Sequence, residues 1–189
     1  MEQIILVMYH HPRFLLRKPE IMKKFVDKVD KMGMDRSSRM FIHGIRIFSS
    51  MSYKTWELKF RTFGELGFSE DDIAAAFRYT PTVFGVSEEK LKEVKEVLLA
   101  TGKYNLSCII NYPTSLMYSV EKRYKPRLQV LEMLESKNMI QSWPKIKTLC
   151  PMPNKRFYEK FIEPYLDEDG DVCTEKSALS GKRTVKVKN

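Results

Sequence analysis

Apolar residues recur along this 189-residue chain at helical spacing, and the helices they mark recur in turn. Leu91, Val94, Leu98 and Thr101 fall on one stripe, with Val97 beside them, which predicts a helix beginning near Ser87. Equivalent stripes are Ile21, Phe25 and Met32, then Trp56, Phe60 and Phe63, then Tyr124, Leu128 and Leu131. Alternating β-branched runs are scarce apart from Thr184 to Val187, so the pattern predicts an all-α protein.

The stripes sit in a register. Pro12, Arg46, Pro81 and Pro113 serve as anchors separated by 34, 35 and 32 residues. Four residues before them stand Met8, Ile42, Phe77 and Ile109; three residues after them stand Leu15, Ser49, Phe84 and Leu116. Six residues after them come Lys18, Ser52, Ser87 and Ser119, and Gly33, Gly67 and Gly102 precede the next anchor by 11 to 14 residues. A period of this length means stacked supersecondary units, because neither helix of one unit can bury its apolar face alone.

Each unit has a physical reading. Ser52, Ser87 and Ser119 are expected to cap helix N-termini by accepting from an orphan backbone N–H. Glu88 and Glu89 place negative charge in a first turn, where the helix dipole favours it. Pro19 and Pro126 suit first turns, where a missing N–H costs nothing. Gly33, Gly67 and Gly102 are expected where each long helix ends. A shorter helix follows: Ser69 and Asp72 form a capping-box pattern before Ile73, Ala74 and Phe77. That helix must stop before Pro81, and the residues after the proline are expected to turn tightly.

Charge changes the picture more than composition does. The net charge is +9, distributed as −1 over residues 1–10, +8 over 11–61, −3 over 62–120 and +5 over 121–189. Basic excess of this kind points to a polyanionic partner. Cys108, Cys150 and Cys173 lie far apart, and His10, His11 and His43 supply no ligand cluster, so no metal or other cofactor is expected. No run of 18 apolar residues exists, so no membrane partner is expected. No nucleophile–base spacing or phosphate-cradling glycine loop appears, and pairs such as Asp71 and Asp72 read as helix-start charges; neither an enzyme nor a small-molecule substrate is expected.

The two ends carry their own expectations. EQIILVMYHH fits the short helix of a unit whose long partner is missing, with Ile4, Ile5 and Met8 facing the absent neighbour. The register thus leads us to expect a C-terminal fragment or truncated gene product, lacking its targeting peptide. Residues 167–189 are polar, and the last 14 hold five basic and no acidic side chains. The expected organisation is a helical repeat domain over 1–166, its last unit degenerate, and a flexible basic tail over 167–189.

The stretches SSMSYKTWELKFRTFGELGFSEDDIAAAFRYTP, TPTVFGVSEEKLKEV, NYPTSLMYSVEKRYKPRLQVLEML and NKRFYEKFIEPYLDE resemble the mitochondrial transcription termination factor (mTERF) family, in particular the C-terminal portion of its land-plant branch. The resemblance covers nearly all of residues 4–169. It implies a right-handed α-solenoid of helix–turn–helix repeats of about 32–35 residues, punctuated by proline turns. It also implies a concave basic surface that tracks double-stranded nucleic acid in an organelle: mitochondrion first, chloroplast as the alternative. Related proteins act in transcription termination or initiation, intron splicing and ribosomal RNA maturation. Arg46 departs from the unit proline, and Asn154 stands at the cap position of the degenerate last unit, with Phe157 and Phe161 continuing its helix.

Residues near unit turns line one edge of a solenoid, which nominates Arg13, Arg17, Arg46 and Arg78 for nucleic-acid contact. Lys122, Arg123, Lys155 and Arg156 recur early in the later units and join them. Arg46 and Arg78 carry the narrower reading, a planar fork for guanine or phosphate near a unit turn. Tyr53, Tyr79, Tyr104, Tyr112 and Tyr118 could instead stack on unpaired bases, favouring single-stranded RNA. Trp56, Phe60, Phe63 and Phe77 read as core. The expected function is a monomeric protein that regulates transcription by occupying duplex DNA. An RNA-binding splicing or ribosomal-RNA factor and a protein–protein scaffold solenoid are the alternatives.

Overall fold

A computed structural model describes Ile5, Tyr9 and residues 16–166. The Pro12 anchor, the nominated Arg13 and the expected tail from residue 167 lie outside the described residues. Among those described, the secondary structure is helical, and none of the helices is long and apolar enough to cross a membrane. Two compact units partition the chain, one within Met1–Tyr118 and the other within Ser119–Asn189.

The first unit contains α1 (Pro19–Lys31), α2 (Phe41–Ser50), α3 (Tyr53–Glu65), α4 (Glu70–Tyr79), α5 (Glu88–Ala100) and α6 (Leu106–Ile110). Short 3-10 turns at Pro81–Gly85 and Pro113–Met117 follow α4 and α6, where the proline register places them. The caps form as expected: Ser52 Oγ accepts from Thr55 N at 3.1 Å and Ser87 Oγ from Lys90 N at 3.3 Å. Ser69 and Asp72 close a reciprocal capping box, Asp72 N donating to Ser69 Oγ and Ser69 N to the Asp72 carboxylate. Gly33, Gly67 and Gly102 take φ of 70°, 95° and 66°, the left-handed conformation that ends a helix. At Gly67 that φ strains any residue with a Cβ, which would also lie 2.6 Å from Leu106 Cδ2 and require the leucine side chain to shift.

Aromatic packing builds the core of this unit. Phe77 and Phe84 are fully buried, and Trp56 stacks on Phe84 with centroids 5.3 Å apart. Phe48 meets Trp56 at 4.3 Å and Phe77 at 5.1 Å, while Phe63 meets Phe84 at 4.6 Å. Leu91, Val94 and Leu98 of α5 are fully buried, as their stripe predicts. The α1 stripe is corrected: Val29 is its buried member, whereas Ile21 is 38% exposed.

Arg46 departs from the reading that sets it close to a unit turn. It lies inside α2, which continues to Ser50 without a 3-10 break. The reason is chemical: arginine keeps the backbone N–H that proline lacks, so the i→i−4 ladder runs through the anchor position.

The second unit contains α7 (Lys125–Ser136), α8 (Ile146–Leu149) and α9 (Asn154–Phe161). Ser119 caps Lys122 N at 3.1 Å, but Val120–Tyr124 winds as a π turn before α7 begins. Pro126 has no N–H to offer the preceding turn, and Tyr124 N reaches five residues back to Ser119 O at 3.1 Å. Tyr124, Leu131 and Leu149 are fully buried, with Leu128, Phe157 and Phe161 nearly so. Asn138, with φ 56°, ends α7 where the earlier units use glycine. Asn154 is corrected as well: α9 starts at that residue, Pro153 holds the cap position, and the Asn154 amide accepts from Arg127 instead.

Candidate nucleic-acid interface

Helix and turn ends leave backbone carbonyls without intrahelical partners, and in this fold cations satisfy many of them. Lys59 Nζ donates to Val86 O, Lys90 Nζ to Met117 O at 2.7 Å, and Arg123 Nη1 to Cys150 O at 2.6 Å. In all three the donor precedes its acceptor by 27 residues. The acceptors lie at the end of the element that closes each repeat: the two proline turns, then α8. These are periodic clamps from a long helix to the next turn.

The nominated cations divide accordingly. Arg17 is exposed but donates to Ser49 O, at the C-terminus of α2, at 2.8 Å, and lies 5.8 Å from the Phe25 ring. Arg78 is exposed and donates to Met32 O, at the end of α1, at 3.1 Å. Arg123 holds both Cys150 O and Met152 O. Each of these three is tied to backbone. Arg46 is half-buried, and loss of water pulls its guanidinium down from the ordinary arginine range. In the second unit Lys122 is exposed and lines a cleft of about 300 Å³ with Pro126, Asn154 and Phe157. Lys155 pairs with Glu159 at 3.8 Å, and Arg156 is exposed one residue on.

Sequence reasoning passed over two buried cations. Lys59 is 8% exposed, and Arg127 is 3% exposed. Arg127 donates to Leu149 O and Met152 O at 2.6 Å each and to Asn154 Oδ1 at 2.8 Å, with its guanidinium 5.0 Å from the Phe157 ring. Recurrence supplies the signal that could have found the clamps: Lys59, Lys90 and Arg123 follow one another at 31 and 33 residues, near the unit period.

The tyrosines separate too. Tyr104 is 5% exposed and belongs to the core, so it is no stacking platform. Tyr53 and Tyr79 are exposed, and Tyr79 meets Tyr112 edge-on with centroids 6.4 Å apart. Among the described residues no group of three His, Cys, Asp or Glu could hold a metal ion.

The mTERF family model matches residues 1–158. No curated protein and no solved structure matches the chain significantly. A helical repeat closed by proline turns, joined to a family match over most of the sequence, settles the affiliation: the chain belongs to the mTERF family, a helical-repeat family of organellar nucleic-acid-binding proteins.

Proposed function

We propose that this protein regulates organellar transcription, termination or a related step, by occupying double-stranded DNA as a monomer. The observation that carries the reading is the family match combined with the charge partition, +8 over residues 11–61 and +5 over 121–189 around an acidic interval. Lysine and arginine that neutralise phosphates release condensed counterions, which supplies most of the affinity without any catalytic group. Of the nominated residues, Arg46, Lys122 and Arg156 are the best placed for this role. Lys155 follows once its weak pair with Glu159 opens, whereas Arg17, Arg78 and Arg123 serve chiefly to hold the fold. Mitochondrion is the favoured compartment, chloroplast the alternative.

Exposed Tyr79, paired edge-on with half-buried Tyr112, favours a second reading, an RNA-binding splicing or ribosomal-RNA factor, because aromatic faces bind unpaired bases. Equilibrium binding to duplex DNA, duplex RNA and single-stranded RNA of one sequence, at fixed salt, separates the two. Preference for duplex DNA supports the first reading, and preference for single-stranded RNA replaces it with the second. Binding to none of them, with capture of a peptide partner, replaces both with a protein scaffold.

A further inference from the structure

We infer that the lysine arc of α1 is a phosphate-contact surface for duplex nucleic acid. The inference rests on the nucleic-acid reading above and deepens it by naming residues that the turn-based nomination passed over.

The geometry of α1 sorts its side chains cleanly. Val29 is fully buried, and Met22, Phe25 and Val26 beside it are half-buried. Lys23, Lys24, Lys28 and Lys31 fall within about 140° of arc on the other side, at about 100° per residue. Lys23, Lys24 and Lys31 are exposed and make no hydrogen bond or ion pair with a described residue. They differ in this from Lys59, Lys90, Arg123 and Arg127, whose charges are committed to backbone carbonyls.

Arg36 and the two rings beside Lys28 bear on the positive character of the arc, which Glu20 and Asp27 within it partly offset. Arg36 forms a bidentate pair with Asp30 and so removes that carboxylate from competition. Lys28 Nζ lies 5.7 Å from the Phe48 ring and 5.8 Å from Tyr53, which pins the edge of the arc without neutralising it. Glu20 and Asp27 are the acids left among the lysines. Spacing fits the partner: at 1.5 Å rise per residue, Lys24 and Lys31 stand about 10 Å apart along the axis. A duplex strand offers a phosphate about every 3.4 Å of axis, so that span faces about three of them.

An anionic membrane is the other polyanion such a helix could meet. A membrane-surface helix must bury its apolar face in lipid, whereas the apolar face of α1 is turned into the protein around Val29. Nucleic acid is therefore the partner the arrangement fits.

The test compares the full chain with the triple variant K23Q/K24Q/K31Q and with K92Q/K95Q/K103Q, a control from the acidic interval. Far-UV circular dichroism and denaturant midpoints check that each is folded. Binding to duplex DNA and duplex RNA is titrated from about 50 to 200 mM salt. The inference expects the α1 variant to lose about 2–3 units of the log–log salt slope and about a hundredfold in affinity near 0.1 M salt, the control changing little. An unchanged slope in a folded α1 variant, while the wild type binds, overturns the inference and leaves the functional reading standing. Equal losses in both variants also overturn it, since charge alone would then be responsible. A wild type that binds no nucleic acid but binds phosphatidylglycerol vesicles overturns the functional reading itself, and the inference with it.

Discussion

Lys90 Nζ donates to the carbonyl oxygen of Met117 across 2.7 Å, tying the start of α5 to the end of the next proline turn. The same relationship joins Lys59 to Val86 and Arg123 to Cys150. A 3-10 turn ends on carbonyls that the following helix cannot use, and burying them unpaired is costly. The repeated cation therefore belongs to the architecture of the unit as much as the proline does.

Replacing Lys59 with Met keeps the apolar stem and removes the donor. Lys59→Met is expected to cost about 1–3 kcal/mol, because Val86 O loses its charged partner in a buried setting. Lys90→Met is expected to cost less, since Lys90 is only half-buried. Guanidinium unfolding midpoints measure both, and equal wild-type and Lys59→Met midpoints would refute the clamp.

The capping box makes stability depend on pH in a definite direction. Hydrogen bonds from the Ser69 side chain and then its backbone N–H hold the Asp72 carboxyl below the usual carboxylate range. A depressed folded-state pKa stabilises above the ordinary value near 3.8 and is lost as pH falls through the folded value. Asp72→Asn is therefore expected to lower the thermal midpoint at pH 6, the difference from wild type shrinking below pH 4. A difference that grows on acidification would contradict the assignment.

Cys150 tests the second unit chemically. Burial pushes its thiol up to about 11, despite the Tyr124 hydroxyl 3.0 Å away and the nearby Arg127 and Arg123. The neutral thiol is thus favoured in the fold, a contribution present below the ordinary value of 9.0 and lost as pH rises towards 11. Cys108 is only half-buried. Iodoacetamide at pH 8, followed by peptide mapping, is expected to label Cys108 well before Cys150; the reverse order would mean that the Tyr124 environment is wrong.

Local chemistry made most of the fold legible. Serine caps, the capping box, left-handed glycines and proline turns each require particular residue types, and those types stand in register along the chain. Asn138 was missed because asparagine tolerates positive φ less visibly than glycine, although it continues the series of helix-ending positions. The candidate interface was less legible for a physical reason. A basic side chain has the same identity whether it meets solvent, phosphate or a backbone carbonyl, and carbonyl acceptors leave no mark in the sequence. Arg78 and Arg123 were nominated for nucleic acid, yet they hold Met32 O and Cys150 O. Proximity to a turn was informative, but the turn itself was the nearer partner.

The most direct measurement is the affinity of the full chain for duplex DNA across salt concentration. Counterion release by a basic surface should give a straight log–log plot with a slope of about −0.9 per phosphate contact, about −3 from the three exposed α1 lysines and about −5 if Arg46, Lys122 and Arg156 engage as well. Affinity that stays flat between about 50 and 200 mM salt, or no binding at the lowest salt, would contradict the account.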